Sequence, residues 1–280
     1  MPKKPRLGQN FLNDTQAADR IVAALGDYSG RTVVEIGPGR GAITRTLAAR
    51  AGRLLAIELD TELASGLRAG FPSEKVTVVN EDVLQFDFAA ASAAAGERLL
   101  VLGNLPYYIT SPILLKLAAN HAVLDRAVLM VQREVADRVA ATPGCRDYGL
   151  LSVTAQLYGP IENLFTLPPE AFSPPPEVHS TVFRWRFAPR ITELGVDETG
   201  FLPFLRQAFA QKRKTLANNL RAAGFTPEVI ATGLSSARID PRARAETLAF
   251  DAFAMLWRSL KLEGAAPPSE VAPIINSSEG

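Results

Sequence analysis

Between positions 32 and 132, short β-branched apolar runs alternate with longer stretches in which apolar residues recur at helical spacing. Continuous apolar strands separated by helices of about ten residues are typical of βαβ units in a parallel sheet. The pattern predicts five strands, at 32–36, 53–59, 76–80, 99–103 and 127–132. It predicts four helices in the same region, at 42–51, 61–69, 111–120 and 133–141.

The C-terminal half begins with a predicted helix at 150–158 and two predicted strands at 161–167 and 180–187. The link between these strands holds three consecutive prolines, so we expect a stiff, extended loop there. Beyond Pro189 only helical spacing remains, which predicts helices at 201–212, 215–223, 227–235 and 245–260. We therefore expect an α/β domain at 1–188, a small all-helical domain at 189–263 and a disordered tail at 264–280.

Composition narrows the class of protein. The 280 residues are 47% hydrophobic and 21% charged, which supports a sizeable core and excludes a wholly disordered chain. There is no apolar run of about 18 residues and no signal-peptide pattern, so we expect a cytoplasmic protein without a membrane span. One cysteine and two histidines exclude a disulfide framework and a Cys/His zinc cluster, and we expect no metal site.

Charge is unevenly distributed although the net charge is only +1. Residues 1–187 carry 19 Lys and Arg against 19 Asp and Glu, whereas residues 188–262 carry 11 against 7. A protein that coats RNA or DNA by charge alone would be basic throughout. Contact with a nucleic acid is therefore expected to be local, or assisted by shape and by other proteins.

The strongest local motif follows the first predicted strand. Gly37, Gly39 and Gly41 alternate with other residues before the helix at 42, and Glu35 precedes the first glycine by two positions. Glycines at this point let a ligand approach the main chain and the N–H groups that begin the helix. The spacing differs from the G-x-G-x-x-G pattern of dinucleotide-binding proteins. A nicotinamide-dependent dehydrogenase is disfavoured for this reason, and because no proton-transfer constellation accompanies the loop.

Two acidic residues follow the next two strands. Glu58 lies 21 residues after Gly37, where doubly wound folds place a carboxylate that accepts hydrogen bonds from ribose hydroxyls. Asp82 follows the third strand, where a carboxylate can accept from an adenine amino group. Asp60 and Asp87 are better explained as solvated charges or as residues that begin helices.

The fourth strand ends in Asn104-Leu105-Pro106-Tyr107. Asparagine supplies an acceptor oxygen, proline stiffens the turn and tyrosine offers a flat face at the sheet edge where open α/β folds bind ligands. An exocyclic amine of a base is a poor nucleophile, because its lone pair is delocalised into the ring. Two acceptors aimed at its hydrogens, the Asn104 oxygen and a neighbouring main-chain carbonyl, would favour a pyramidal nitrogen, while aromatic faces hold the ring.

In this order, the glycine loop, the two acids and the Asn104 turn resemble S-adenosylmethionine-dependent N6-adenine methyltransferases. More closely, the chain from about residue 6 to residue 260 resembles the KsgA (RsmA) family of ribosomal RNA adenine dimethyltransferases. Further stretches carry the resemblance, at 8–12 (GQNFL), 131–138 (VQREVADR), 148–153 (YGLLSV), 172–180 (FSPPPEVHS) and 211–216 (QKRKTL).

The resemblance implies a Rossmann-like class I methyltransferase fold with S-adenosylmethionine as cofactor. Asn104 would lie where the methyl donor meets the target nitrogen, and Tyr107 and Phe172 would sandwich the target adenine. The implied cofactor-binding residues are Asn10, Leu12, Gly37, Gly39, Glu58, Asp82 and Asn104. The implied catalytic residues are Asn104, Leu105, Pro106, Tyr107 and Phe172.

The resemblance also implies a substrate, namely two adjacent adenines near the 3′ end of 16S rRNA in an immature small ribosomal subunit. Lys212, Arg213 and Lys214 of the helical domain would contact RNA. A ribonucleoprotein substrate fits the small net charge, and its size favours a monomeric enzyme. Two residues depart from the family pattern, and both are expected beside the target pocket: Tyr108 stands where Asn is common, and Glu177 where a basic residue is frequent.

The sequence leaves two alternatives to this function open. The first is the related 23S rRNA adenine methyltransferase of macrolide resistance, which shares the Asn-[Leu/Ile]-Pro-Tyr core. Such proteins are usually more basic, and they bind naked RNA. The second is an assembly factor whose binding to the immature small subunit matters more than its catalysis.

Overall fold

The computed structural model describes residues 10–262, and these form two compact units. The first contains residues 10–137 and 159–188, and the second contains residues 138–158 and 189–262. The division predicted from the sequence assigned 138–158 to the α/β domain. In the structure this segment is tied to the helical unit, because the Tyr148 hydroxyl donates to the Leu248 carbonyl (3.1 Å) and the Tyr158 hydroxyl donates to Glu198 (2.6 Å). The tail expected at 264–280 lies outside the described residues.

A seven-stranded sheet forms the centre of the first unit. Its strands are β2 (Thr32–Ile36), β3 (Arg53–Glu58), β4 (Val76–Asn80), β5 (Leu99–Asn104), β6 (Leu124–Gln132), β7 (Ile161–Leu167) and β9 (Ser180–Arg186). Their spatial order is β4-β3-β2-β5-β6-β9-β7. The first five are parallel, and β9 and β7 are added antiparallel. All five residues of β2 are buried, including Thr32 and Glu35, as expected for a central parallel strand covered on both faces.

A separate two-stranded ladder was not predicted. It pairs β1 (Phe11–Leu12) antiparallel with β8 (Phe172–Ser173), so that Leu12 faces Phe172. The proline-rich link was expected to be a loop throughout, but its first two residues form this strand. The three prolines that follow contribute no strand, since proline lacks the N–H that a ladder needs.

Six helices begin in the first unit. They are α1 (Thr15–Ala23), α2 (Ala42–Arg50), α3 (Thr61–Gly70), α4 (Phe88–Ala95), α5 (Thr110–Ala119) and α6 (Arg133–Ala140), the last of which ends in the second unit. Asp60 and Asp87 begin α3 and α4, where their side chains accept hydrogen bonds from main-chain N–H groups. The pattern did not predict α4, because its sequence FAAASAAA has no polar face to contrast with an apolar one.

The second unit is all-helical within its described residues. Its helices are α7 (Leu150–Leu157), α8 (Ile191–Leu194), α9 (Glu198–Ala208), α10 (Leu216–Ala222), α11 (Pro227–Ser236) and α12 (Phe250–Leu262). Its core is aromatic, with the Phe204 ring 5.3 Å from the Trp257 ring. The helix predicted at 245–260 is interrupted, because Leu248 adopts an extended conformation between a 3₁₀ turn and α12. From residue 10 to residue 262, no helix is both long and apolar enough to cross a membrane.

Candidate active site

The carboxyl ends of four parallel strands meet where the strand order reverses. The chain runs outward from β2 to β3 and β4, then returns to β5 on the other side of β2. Such switch points leave a crevice at the carboxyl edge of the sheet, where open α/β folds bind ligands. The register aligns the strand ends here, with Ile36 beside Gly103 and Glu58 beside Asn80.

The glycine loop enters this crevice after β2. Gly37, Gly39 and Gly41 have φ values of +66°, +58° and +81°, a region that favours glycine. A Cβ atom on Gly37 would lie 3.3 Å from the Asn104 carbonyl oxygen, and one on Gly39 would lie 3.0 Å from the Phe11 ring. The loop therefore needs glycine both for its conformation and for its close packing against neighbouring segments.

Glu58 holds the glycine loop in place. One carboxylate oxygen accepts from the Gly39 N–H and the other from the Asp60 N–H, both at 3.0 Å. The residue is only 4% exposed, yet it lines the crevice. Each oxygen retains lone-pair capacity, so the carboxylate can accept further hydrogen bonds from hydroxyl groups of a ligand.

Glu35 is a site residue to which the sequence motif did not assign a role. It is 2% exposed, lines the crevice, and its Oε2 atom has no hydrogen-bond partner among the described residues. Burial raises the pKa of Glu35 to about 8, and the charge of Glu58 acts in the same direction against the opposing effect of Thr44. The signal for its burial was its place between Val34 and Ile36 in a predicted central strand.

Asn104 ends β5 on the opposite side of the crevice. Its side-chain amide nitrogen donates to the Asn10 carbonyl at 3.3 Å, which leaves its oxygen as an acceptor. The turn that follows is held by hydrogen bonds to the Pro106 carbonyl from Ile109 N (3.2 Å) and Thr110 Oγ1 (3.0 Å). The neighbouring Leu105 is buried and lines the crevice.

Two adjoining clefts make up the site. The first, which we call the glycine-loop cleft, opens to solvent. Among the predicted site residues, it is lined by Asn10, Leu12, Gly37, Gly39, Glu58, Asn104, Leu105, Pro106 and Tyr107. The second, which we call the Asp82 slot, shares Gly37, Glu58 and Pro106 with the first.

The two tyrosines of the turn line different clefts. Tyr107 is half-buried in the glycine-loop cleft, and its hydroxyl pairs with the Ser180 hydroxyl at 3.0 Å. Tyr108 lies on the rim of the Asp82 slot, together with Glu58 and Asp82. The sequence interpretation placed Tyr108 beside the target pocket, whereas the structure places it with the residues expected to bind the cofactor.

Phe172 differs from its expected arrangement. Its ring is 3% exposed and packs in the hydrophobic core with Leu12, Ala171 and Val182. It does not line the glycine-loop cleft, so Tyr107 and Phe172 do not face a common ligand site there. The pairing of β1 with β8 explains this burial, because it packs Phe172 against Leu12.

The basic residues predicted to contact RNA lie on the second unit. Lys212, Arg213 and Lys214 are all exposed, and the Lys212 ammonium donates to the Arg146 carbonyl at 2.8 Å. The following helix is joined to a further basic segment by a hydrogen bond from Leu216 N to the Ala243 carbonyl (2.8 Å). Within residues 10–262, no group of three or more His, Cys, Asp or Glu side chains is arranged to hold a metal ion.

Solved structures share this fold. A dimethyladenosine transferase from Plasmodium falciparum superposes with a TM-score of 0.77 at 23% identity, covering 91% of this chain and 99% of that one. The 23S rRNA methyltransferase ErmE superposes with a TM-score of 0.68 at 24% identity, covering 90% of this chain and 100% of that one. Both similarities establish the class I methyltransferase fold that the sequence predicted.

Relatives found by sequence share a much higher identity with this chain than these two solved structures do. Ribosomal RNA small subunit methyltransferase A of Acidobacterium capsulatum is 62% identical over 259 residues, covering 92% of this chain and 91% of its own length. The protein of the same name from Koribacter versatilis is 49% identical over 271 residues, covering 92% of this chain and 95% of its own length. The profile of the ribosomal RNA adenine dimethylase family matches residues 1–261. The chain therefore belongs to the ribosomal RNA adenine dimethylase family.

Proposed function

We propose that this protein transfers methyl groups from S-adenosylmethionine to the N6 amines of two adjacent adenines near the 3′ end of 16S rRNA, in the maturing small ribosomal subunit. The product is N6,N6-dimethyladenosine. The observation that carries the proposal is the meeting of the Glu58-held glycine loop and the Asn104 turn in one cleft. Membership of the family supplies the reaction class.

The residues of both clefts fit the cofactor. Glu58 can accept from the ribose hydroxyls, since each of its oxygens accepts only one hydrogen bond from a main-chain N–H. Asp82 accepts from Leu84 N through Oδ1 (2.9 Å), which leaves Oδ2 for the adenine amino group. Asn10, Leu12, Gly37 and Gly39 would surround the methionine end. When bound, the cofactor supplies an electrophilic methyl group on a positive sulfur.

Asn104 would position and activate the target amine. Its side-chain oxygen accepts from one amine hydrogen, while its amide nitrogen stays bound to the Asn10 carbonyl. The Pro106 carbonyl is already paired, so the Leu105 carbonyl is the neighbouring main-chain acceptor for the other hydrogen. Such acceptors favour a pyramidal nitrogen with an available lone pair. No strong base is needed, because the proton leaves readily once the nitrogen becomes cationic.

Tyr107 provides an aromatic face for the target adenine in the glycine-loop cleft. Burial raises the pKa of its hydroxyl, against the opposing effect of the Ser180 hydrogen bond, so the phenol stays neutral and its pairing with Ser180 is kept at working pH. Phe172 would have to leave its buried position to form the second face. Binding of the target base would thus include a local rearrangement of β8.

The second unit would bind rRNA through its exposed basic turn, Lys212 to Lys214. With a net charge of +1, the chain suits a ribonucleoprotein that offers shape as well as phosphates. We propose a monomer that acts in the cytoplasm, where small subunits mature. Identity of 62% to a small subunit methyltransferase favours this substrate over 23S rRNA.

Methyl transfer from labelled S-adenosylmethionine tests the proposal. Undermethylated small subunits and naked 23S rRNA would be offered in parallel, followed by nucleoside analysis. We expect labelled dimethyladenosine in the small subunit alone. Label in 23S rRNA would assign the chain to the resistance methyltransferases. Label in neither substrate, with binding to the immature subunit retained, would leave an assembly factor as the function.

A further inference from the structure

The Asp82 slot has an exposed apolar rim. Tyr108 is 57% exposed and Leu59 is 47% exposed, and both line this slot. Residues 10–262 contain only five exposed large hydrophobic side chains, so two of the five share a single concavity. Apolar side chains left open around a concave site are typical of a surface that a ligand covers.

The backbone fixes where Tyr108 lies. Tyr107, Tyr108 and Ile109 form a 3₁₀ turn that is held at the Pro106 carbonyl by Ile109 N and Thr110 Oγ1. Consecutive side chains of this turn enter different clefts. Tyr107 enters the glycine-loop cleft, which is expected to receive the target base, and Tyr108 enters the Asp82 slot.

The surroundings of Tyr108 suit a flat, neutral, amine-bearing ring. Asp82 and Glu58 contribute carboxylates to the slot, while Val83, Ile109 and other apolar residues form its walls. Burial raises the pKa of the Tyr108 hydroxyl, and the charges of Asp82 and Glu58 raise it further. The phenol is therefore a neutral donor at working pH, and its ring adds apolar and aromatic area where the carboxylates supply acceptors.

We propose that Tyr108 is a cofactor-binding residue whose ring forms part of the slot for the adenosine group of S-adenosylmethionine. The proposal rests on the proposed function, because it needs that cofactor to occupy the two clefts. Tyr108 thus acts on the donor side of the reaction and not on the RNA side. Stacking of a base on an aromatic ring contributes enough that alanine substitution lowers affinity by roughly 5- to 150-fold.

Titration calorimetry with S-adenosylhomocysteine tests this assignment without any methylation step. Tyr108→Ala and Tyr108→Asn should bind the compound about 5- to 50-fold more weakly than the parent protein, whereas Tyr108→Phe should stay within about twofold. Met255→Ala is the matched control, since it removes another exposed apolar side chain, in α12. Thermal melts should show that all four variants fold, because both positions are exposed.

A second titration uses 5′-methylthioadenosine, which lacks the amino-acid end of the cofactor. The Tyr108→Ala variant should lose affinity for it by a similar factor, as expected when the lost contact is with adenosine. In methylation assays, KM for S-adenosylmethionine should rise while kcat and KM for small subunits stay unchanged.

Two results would overturn the assignment. One is equal affinity of Tyr108→Ala and the parent for S-adenosylhomocysteine. The other is a rise in KM for small subunits alone, which would make Tyr108 an RNA contact. Failure of the parent protein itself to bind S-adenosylhomocysteine would instead overturn the proposed function, so the two failures are distinguishable.

Discussion

The cofactor side and the target side of the cleft are built differently. On the cofactor side, Glu58 ties down the glycine loop through main-chain N–H groups, and the Asp82 slot stands open with exposed apolar residues on its rim. On the target side, Phe172 is 3% exposed in the hydrophobic core and the Tyr107 hydroxyl is paired with Ser180. Under the proposed assignment, the residues for the methyl donor are thus already in place, whereas Phe172, the second aromatic face for the acceptor, is buried.

Because of this difference, we expect substitutions on one side to change mainly ligand affinity and substitutions on the other to change mainly the free energy of unfolding. On the proposed cofactor side, an exposed residue such as Tyr108 can be replaced with little loss of core contacts. A substitution at Phe172 removes core packing, because the ring fills space against Leu12. Asn10 contacts both sides, because its carbonyl accepts from the Asn104 side chain and the next residue, Phe11, begins β1.

The largest effect is expected for Asn104→Ala. It removes the acceptor of the target amine, so single-turnover methyl transfer should fall by roughly 1,000-fold or more, whereas S-adenosylhomocysteine affinity should change by less than about threefold. Asn163→Ala, at an exposed position of β7, should retain full activity. Near-normal turnover of Asn104→Ala would refute the assigned role.

Phe172→Ala tests whether the target side is closed in solution. Truncation of a buried phenylalanine costs about 3 to 5 kcal/mol, whereas Phe172→Leu should cost less than about 1.5 kcal/mol. Chemical denaturation measures both values. The leucine variant, which keeps the fold, should show a raised KM for small subunits and unchanged affinity for S-adenosylhomocysteine. If Phe172→Ala left the free energy of unfolding unchanged, the ring would not be packed in the core.

Glu58→Ala should weaken cofactor binding by about 10- to 100-fold, because hydrogen bonds to a charged group each contribute roughly 1.5 to 3 kcal/mol. The loss includes the anchoring of Gly39 N and Asp60 N. Calorimetry with S-adenosylhomocysteine provides the measurement, and Glu62→Ala, an exposed acid in the first turn of α3, is the control. Unchanged affinity would contradict the ribose assignment.

The smallest expected change in ligand affinity is its dependence on pH. Because burial raises the pKa of Glu35 to about 8, the carboxyl is neutral at pH 7. A cationic cofactor favours its ionised form, so affinity for S-adenosylmethionine should rise about 3- to 10-fold from pH 6.5 to 8.5 and then level off. Glu35→Gln should remove this dependence in calorimetry at each pH. If the affinity of the parent protein for S-adenosylmethionine did not change with pH, the role assigned to the Glu35 carboxyl would be wrong.

The raised pKa of Glu35 should also make the free energy of unfolding depend on pH when no cofactor is present. The folded protein keeps a proton on Glu35 that the unfolded chain releases near its ordinary pKa of 4.5. Its contribution to stability is therefore fully present below pH 4.5 and is lost as pH rises through about 8. Relative to Glu35→Gln, the parent should lose on the order of 5 kcal/mol over this range, since each unit between the two pKa values contributes about 1.4 kcal/mol, as denaturant titrations at several pH values can show.

Much of the fold was predictable because its signals are local. Buried runs such as Leu54 to Ile57 can only be central strands between helices of this length, and the five parallel strands appear within a few residues of their predicted bounds. β6 begins earlier than predicted, at Leu124, because the polar Asp125 and Arg126 interrupt its apolar pattern. The shared location of the motif residues was also predictable, since they follow parallel strands, whose carboxyl ends lie at one edge of the sheet.

Other features depend on segments far apart in the chain. The ladder of Phe11–Leu12 with Phe172–Ser173 is too short to leave a periodic signal, yet it buries Phe172. No local pattern shows that Tyr107 and Tyr108 enter different clefts, or that residues 138–158 pack with the helical unit. The sequence by itself determined the elements and the chemistry at the strand ends. Only the tertiary structure decided which side chains are covered and which cleft each one lines, because burial and pairing are set by partners far away in the chain, such as Leu12 for Phe172 and Ser180 for Tyr107.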